Sequence, residues 1–73
     1  MNVTDLQQGK KATVSDITKL HDIVKQRLID MGLVEGQEIC LKCTMPFGGP
    51  VMIEVCGQCL SLRRKEASSI EVR

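Results

Sequence analysis

All the cysteine in this chain lies in two short stretches, CLKC at 40–43 and CGQC at 56–59. Two Cys-x-x-Cys pairs separated by twelve residues carry the ligand types and the spacing of a zinc ribbon. In such a site four thiolates surround the metal as a tetrahedron, and each pair must turn as a knuckle. Thiolate softness would favour zinc over ferrous iron there. A redox reading of Cys56 and Cys59 asks for a first cysteine at a helix N-terminus, where its pKa falls. Here Gly57 and Gln58 read instead as a hairpin turn. His21 has Lys25 one turn later, which cannot be a ligand while protonated, so it reads as an exposed helical histidine. No Ser-His-Asp set and no phosphate-cradling glycine loop is present, so the chain is expected not to be an enzyme.

The backbone around the cysteines decides between these options. KKATVSDI (10–17) alternates with Ala12 and Val14 inward, a first strand after an opening turn at Leu6 and Gly9. Leu20, Val24, Leu28 and Met31 fall on one helical face, which predicts a helix over 19–31 with Thr18 as N-cap. Gly32 stands where a left-handed C-cap belongs, and Leu33 is placed to fold back on the helix end. After the VEGQ turn (34–37) the period becomes two. Ile39 and Leu41 define a second strand. PFGGP (46–50) is a loop. Val51, Ile53 and Val55 define a third strand, and Leu60 and Leu62 a fourth. RKEAS (64–68) reads as a turn or a single helical turn, and Ile70 and Val72 face inward on a last strand. The sum is a mainly β fold. About five short antiparallel strands, with one helix between the first and second, form a small barrel, because closure removes exposed edges.

Loop symmetry places Met45 opposite Val51, Cys43 opposite Ile53, and Cys40 opposite Cys56. In that register Cys43 points into the core, while Cys40, Cys56 and Cys59 cluster on the surface. CLKC fits plain strand alternation, and neither pair has a glycine after its second cysteine to relax a knuckle. Three readings follow: a four-cysteine zinc ribbon, a looser site of Cys40, Cys56 and Cys59, or a core Cys43 with three solvent thiols. The alternation favours the last, and no cofactor is required by it. Zinc or another transition metal at the cysteines is the alternative.

Composition narrows the partners. The chain has 73 residues, which is expected to be a single domain with a small core. Net charge is +1, so no strong field selects nucleic acid or an anionic membrane. Phe47 is the only aromatic residue, so a stacking platform for single-stranded nucleic acid is absent. The opening residues have no apolar signal core, and the apolar runs are far too short to span a bilayer. A cytoplasmic location without membrane insertion is expected, where thiols stay reduced. Two surface features remain. Met45, Pro46 and Phe47 form a loop tip that either offers a partner site or folds back over the barrel end. Arg63, Arg64 and Lys65 form a basic run that is either a solvated turn or a contact for an acidic face.

Four blocks in order make the chain resemble the FeoA family of ferrous iron uptake. They are the opening DLQQG, the helix end RLIDMGLVEGQEI with D-M-G-L followed by x-x-G, the loop MPFGGP, and the closing L-x-L-R-x-x-E-A-x-x-I-E-V. The resemblance spans the whole length. It implies an SH3-like barrel with an inserted helix. It also implies an accessory role beside FeoB, a membrane iron transporter with a cytoplasmic GTP-binding domain. No catalytic residues carry over. The cysteines at 40, 43, 56 and 59 depart from the family pattern, which usually has polar or charged residues there. The resulting expectation is docking to a FeoB-like transporter through Met45, Pro46 and Phe47, with metal binding as the rival and weak self-association left open.

Overall fold

The computed structural model describes residues 1–73. A 3-10 turn at Val3–Asp5 comes first, followed by β1 (Lys11–Asp16), α1 (Asp22–Asp30), β2 (Glu38–Thr44), β3 (Val51–Val55), β4 (Gln58–Leu62), α2 (Arg64–Ser68) and β5 (Glu71–Val72). The strands form one antiparallel sheet in the order β4-β3-β2-β1-β5, with the longer helix between the first two strands as expected. β4 and β5 are the two edges, and no ladder joins them. α2 packs against both β4 and the opening 3-10 turn, and so covers the gap.

One face of the sheet is buried because every strand alternates apolar and polar residues. Ala12 and Val14, Ile39 and Leu41, Val51, Ile53 and Val55, Leu60 and Leu62, and Val72 make that face. Leu20, Leu28, Leu33, Ala67 and Ile70 close over it, and no polar or charged residue is buried. The chain ends meet at β5. Val72 donates its N–H to the Met1 carbonyl at 2.8 Å, and Thr13 and Arg73 exchange two backbone bonds of 3.0 and 2.9 Å. β5 therefore has backbone partners on both sides.

The helix is shorter than its apolar period suggests. Thr18 does not cap it, because the Asp16 carboxylate accepts the Thr18 N–H at 2.8 Å and holds 16–18 in a turn. His21 takes the N-cap position without a side-chain bond, and Leu20 is buried ahead of the helix. Met31 lies just past the last turn and is 40% exposed rather than buried. The C-terminal end is as expected. Gly32 has φ +98°, its N–H reaches Ile29 O at 2.9 Å, and the Leu33 N–H reaches Leu28 O at 2.9 Å. Those paired bonds make a Schellman cap, closed by buried Leu33 against Leu28. A Cβ on Gly32 would sit 3.2 Å from Cys56 Sγ and 3.5 Å from Val55 Cγ1.

Two register expectations are corrected. The β3–β4 turn is centred on Cys56 and Gly57, not on Gly57 and Gln58, because Val55 pairs with Gln58. Both central residues have positive φ, +51° and +79°, as a type I′ hairpin requires. Between β2 and β3, Leu41 rather than Cys43 faces Ile53, Cys40 faces Glu54, and Cys43 faces Met52. Thr44, not Met45, faces Val51, which already displaces the register by one. A bulge between Leu41 and Cys43 inserts the extra residue Lys42 and displaces the pairs beyond it by one more.

Two stability tests follow. Gly32→Ala should cost about 1–2 kcal/mol from the left-handed backbone alone. At about 4–8 °C per kcal/mol for a domain of this size, that is a readily measured drop in Tm. An unchanged Tm would refute the cap. The second test is acid stability. Hydrogen bonding from Lys19, then from the Met1 ammonium, holds Glu71 below its ordinary value of 4.5. The Thr18 N–H likewise lowers Asp16 from 3.8. A carboxyl with a lowered folded pKa stabilises fully above its unfolded pKa and loses that contribution as pH falls through the folded one. The advantage of the native chain over Glu71→Gln at neutral pH should therefore shrink below about pH 4.5. A pH-independent difference in urea midpoints would reject the ion pair as its source.

Candidate functional site

The corrected register disperses the cysteines. Cys40 and Cys59 flank Glu54 in one cross-strand row that continues to Lys11. Two strand spacings, about 9–10 Å, therefore separate the Cys40 and Cys59 backbones. The Glu54 carboxylate between them is engaged by Lys42 Nζ at 3.7 Å. Cys56 sits in the type I′ turn with its Sγ toward Gly32. Cys43 is half-buried beside Met52 and is not a core residue, because the bulge turns it off the apolar face. All four thiols are free, and no three His, Cys, Asp or Glu side chains converge closely enough to hold a metal ion. The residues present thus do not fit a tetrahedral thiolate cage.

The 45–50 loop is the more organised feature. Gly49 donates to Pro46 O at 3.2 Å across a turn whose central residues, Phe47 and Gly48, have φ of +61° and +75°. Positive φ is a rare conformation for a bulky side chain. It throws the ring outward, so Phe47 is fully exposed and does not fold back over the sheet. Met45 beside it is 45% exposed. The loop is braced from three directions. Met45 N–H bonds Pro50 O at 3.1 Å, and Arg64 Nη2 on α2 donates to Met45 O at 3.1 Å. A Cβ at Gly49 would meet Met45 Cβ at 2.7 Å, so only glycine lets Met45 lie across the loop. Met45, Pro46 and Phe47 are thus held together on a supported tip.

Sequence reasoning did not find the Arg64 brace or the groove between α1 and α2. Lys19, Leu20, His21 and Val24 line that groove on one side and Arg63, Lys65, Glu66 and Ser69 on the other. The Arg63-Arg64-Lys65 run was the available signal, but what it meets is distant in sequence: Met45 for Arg64, and Lys19, Leu20, His21 and Val24 across the groove.

With this geometry in hand, comparison with known proteins is decisive. The FeoA domain profile matches residues 1–73. The chain belongs to the FeoA family. It is 28% identical over 72 residues to the putative Fe(2+) transport protein A of Campylobacter jejuni, covering 99% of this chain and 96% of that one. It is 29% identical over 72 residues to a Fe(2+) transport protein A/FeoB fusion protein of Porphyromonas gingivalis, of which it spans only 8% of the length, with 99% of this chain covered. Among solved structures, FeoA of Chlorobium tepidum superposes with a TM-score of 0.93 at 33% identity, covering 100% of this chain and 69% of that one. FeoA of Stenotrophomonas maltophilia, a prokaryotic SH3 domain protein complexed with zinc, gives 0.86 at 29% identity, with 100% and 89% covered. The five-stranded sheet and inserted helix are therefore the SH3-like FeoA fold. No helix is long and apolar enough to cross a membrane.

The cysteine geometry is directly testable. Cys40→Ser and Cys59→Ser should each change stability by no more than about 0.5 kcal/mol, as for ordinary surface positions. A chelator should leave the melt of the reduced protein unchanged. A structural zinc supplies roughly 10–16 kcal/mol of apparent binding energy, so its removal would collapse the transition and overturn this geometry.

Proposed function

We propose that this chain acts in the cytoplasm as a single-domain accessory protein that docks on a FeoB-like ferrous iron transporter through Met45, Pro46 and Phe47. Docking would bias the transporter's conformation or its GTPase cycle. The observation that carries this reading is Phe47: a fully exposed ring on a braced turn. An aromatic in that setting costs free energy in water and contributes when a partner covers it. Bracing lowers the ordering cost that binding would otherwise meet. The fused relative adds support, since a transport protein A segment and FeoB share one chain there. Tethering raises the effective concentration of one part for the other, which suits a weak contact made by a small tip.

Metal binding through Cys40, Cys43, Cys56 and Cys59 is the second reading, favoured by the zinc complex of the Stenotrophomonas relative. It would require the β3–β4 hairpin to rearrange, because the thiols here lie in a turn, on a bulge and on separate strands.

Phe47→Ala separates the tip from the fold. Its melt should match the parent, since the ring packs against nothing in the core. Affinity for the purified transporter should fall about thirtyfold, the loss expected when a central aromatic worth about 2 kcal/mol is truncated. Unchanged binding together with unchanged iron uptake would rule the tip out.

A further inference from the structure

The groove between α1 and α2 has a volume of about 370 Å3. It gathers Lys19, Arg63 and Lys65 around a floor of Leu20 and Val24, with His21 at the rim. One carboxylate, Glu66, belongs to the lining, but it is already occupied. It takes Arg27 Nη2 at 3.4 Å and the Arg63 backbone N–H at 3.0 Å, and its side chain is only 13% exposed. Lys19 is paired with Glu71 at 3.0 Å. The side-chain cations of Arg63 and Lys65 have neither a hydrogen-bond partner nor an ion pair. With Lys19 and Glu66 each already paired, Arg63 and Lys65 remain as two uncompensated cations on this groove.

We infer that this groove is a docking site for an extended acidic segment of a protein partner, with carboxylates on Arg63 and Lys65 and an apolar side chain on Leu20 and Val24. Charge complementarity sets the sign of the occupant. The apolar floor sets its kind. A nucleic acid would need aromatic faces to stack on, and none lines the groove. A small anion such as phosphate would gain nothing from Leu20 and Val24, whereas a peptide that alternates acidic and apolar residues uses both. The site is independent of the Phe47 tip, and its test does not involve the transporter.

The probe is a blocked peptide of alternating Glu and Leu, titrated into isotope-labelled protein and followed by backbone amide shifts. Shifts should be confined to residues 19–24 and 63–69. Affinity should fall at least about tenfold between low salt and about 0.3 M salt, where screening shortens the reach of exposed charges. The same peptide with Gln for Glu should produce no shifts. The double variant Arg63→Glu, Lys65→Glu should lose the response while its spectrum stays that of the folded protein. If the double variant does not fold, Lys65→Gln alone should weaken binding, and a full response from it would overturn the site. No shifts at low salt, shifts scattered over the surface, or equal shifts from the Gln peptide would also overturn it. Inorganic phosphate shifting the same amides as strongly as the peptide would reject the protein segment in favour of a small-anion site.

Discussion

Burial of Val51, Ile53 and Val55 on β3 is the constraint from which the rest of the molecule follows. Each is fully removed from water, and β3 pairs on both sides, so a slip of one residue would turn the whole apolar set outward. With β3 held in that phase, β4 must present Leu60 and Leu62 inward. The turn that delivers them leaves Cys56 in a left-handed conformation. β2 must present Ile39 and Leu41, and the mismatch with the next loop is absorbed as the bulge at Lys42. Positions of the cysteines are therefore by-products of core phasing.

The same constraint organises the candidate surfaces. The bulge and the Phe47-Gly48 turn sit at one end of the β2–β3 hairpin, where the ladder no longer dictates side-chain direction. α2 then reaches across from the end of β4, and Arg64 ties the Met45 carbonyl into place. Its neighbours Arg63 and Lys65 are left facing the groove beside α1. A helix of five residues thus serves two surfaces at once: it steadies an apolar tip and lines a basic groove. The small SH3-like scaffold presents two chemically different faces.

Small size explains why so much rests on backbone geometry. The core holds 17 residues, all apolar, and no disulfide supplements it. Order at the edges comes from backbone bonds instead: the Schellman cap at Gly32, the Met1–Val72 bond, and the exchange between Thr13 and Arg73. These tie the helix and both chain ends onto the sheet.

Strand alternation, the helix period up to Leu28, the Gly32 cap and the four family blocks were all legible in the residues, because each depends on neighbours a few positions away. The antiparallel sheet with its inserted helix and the family membership follow from them. The helix start was missed at Thr18, since an Asp16 side chain competing for one N–H is a local choice that periodicity does not encode. What only the tertiary structure decided was long-range. The bulge at Lys42 moved Cys43 off the core and separated the thiols. The positive φ of Phe47 turned its ring to solvent. The approach of α2 to the start of α1 put Lys65 and Lys19 on one groove. Alternation says which residues share a face. It does not say which residues stand opposite one another, because register is set by the summed packing of the whole sheet.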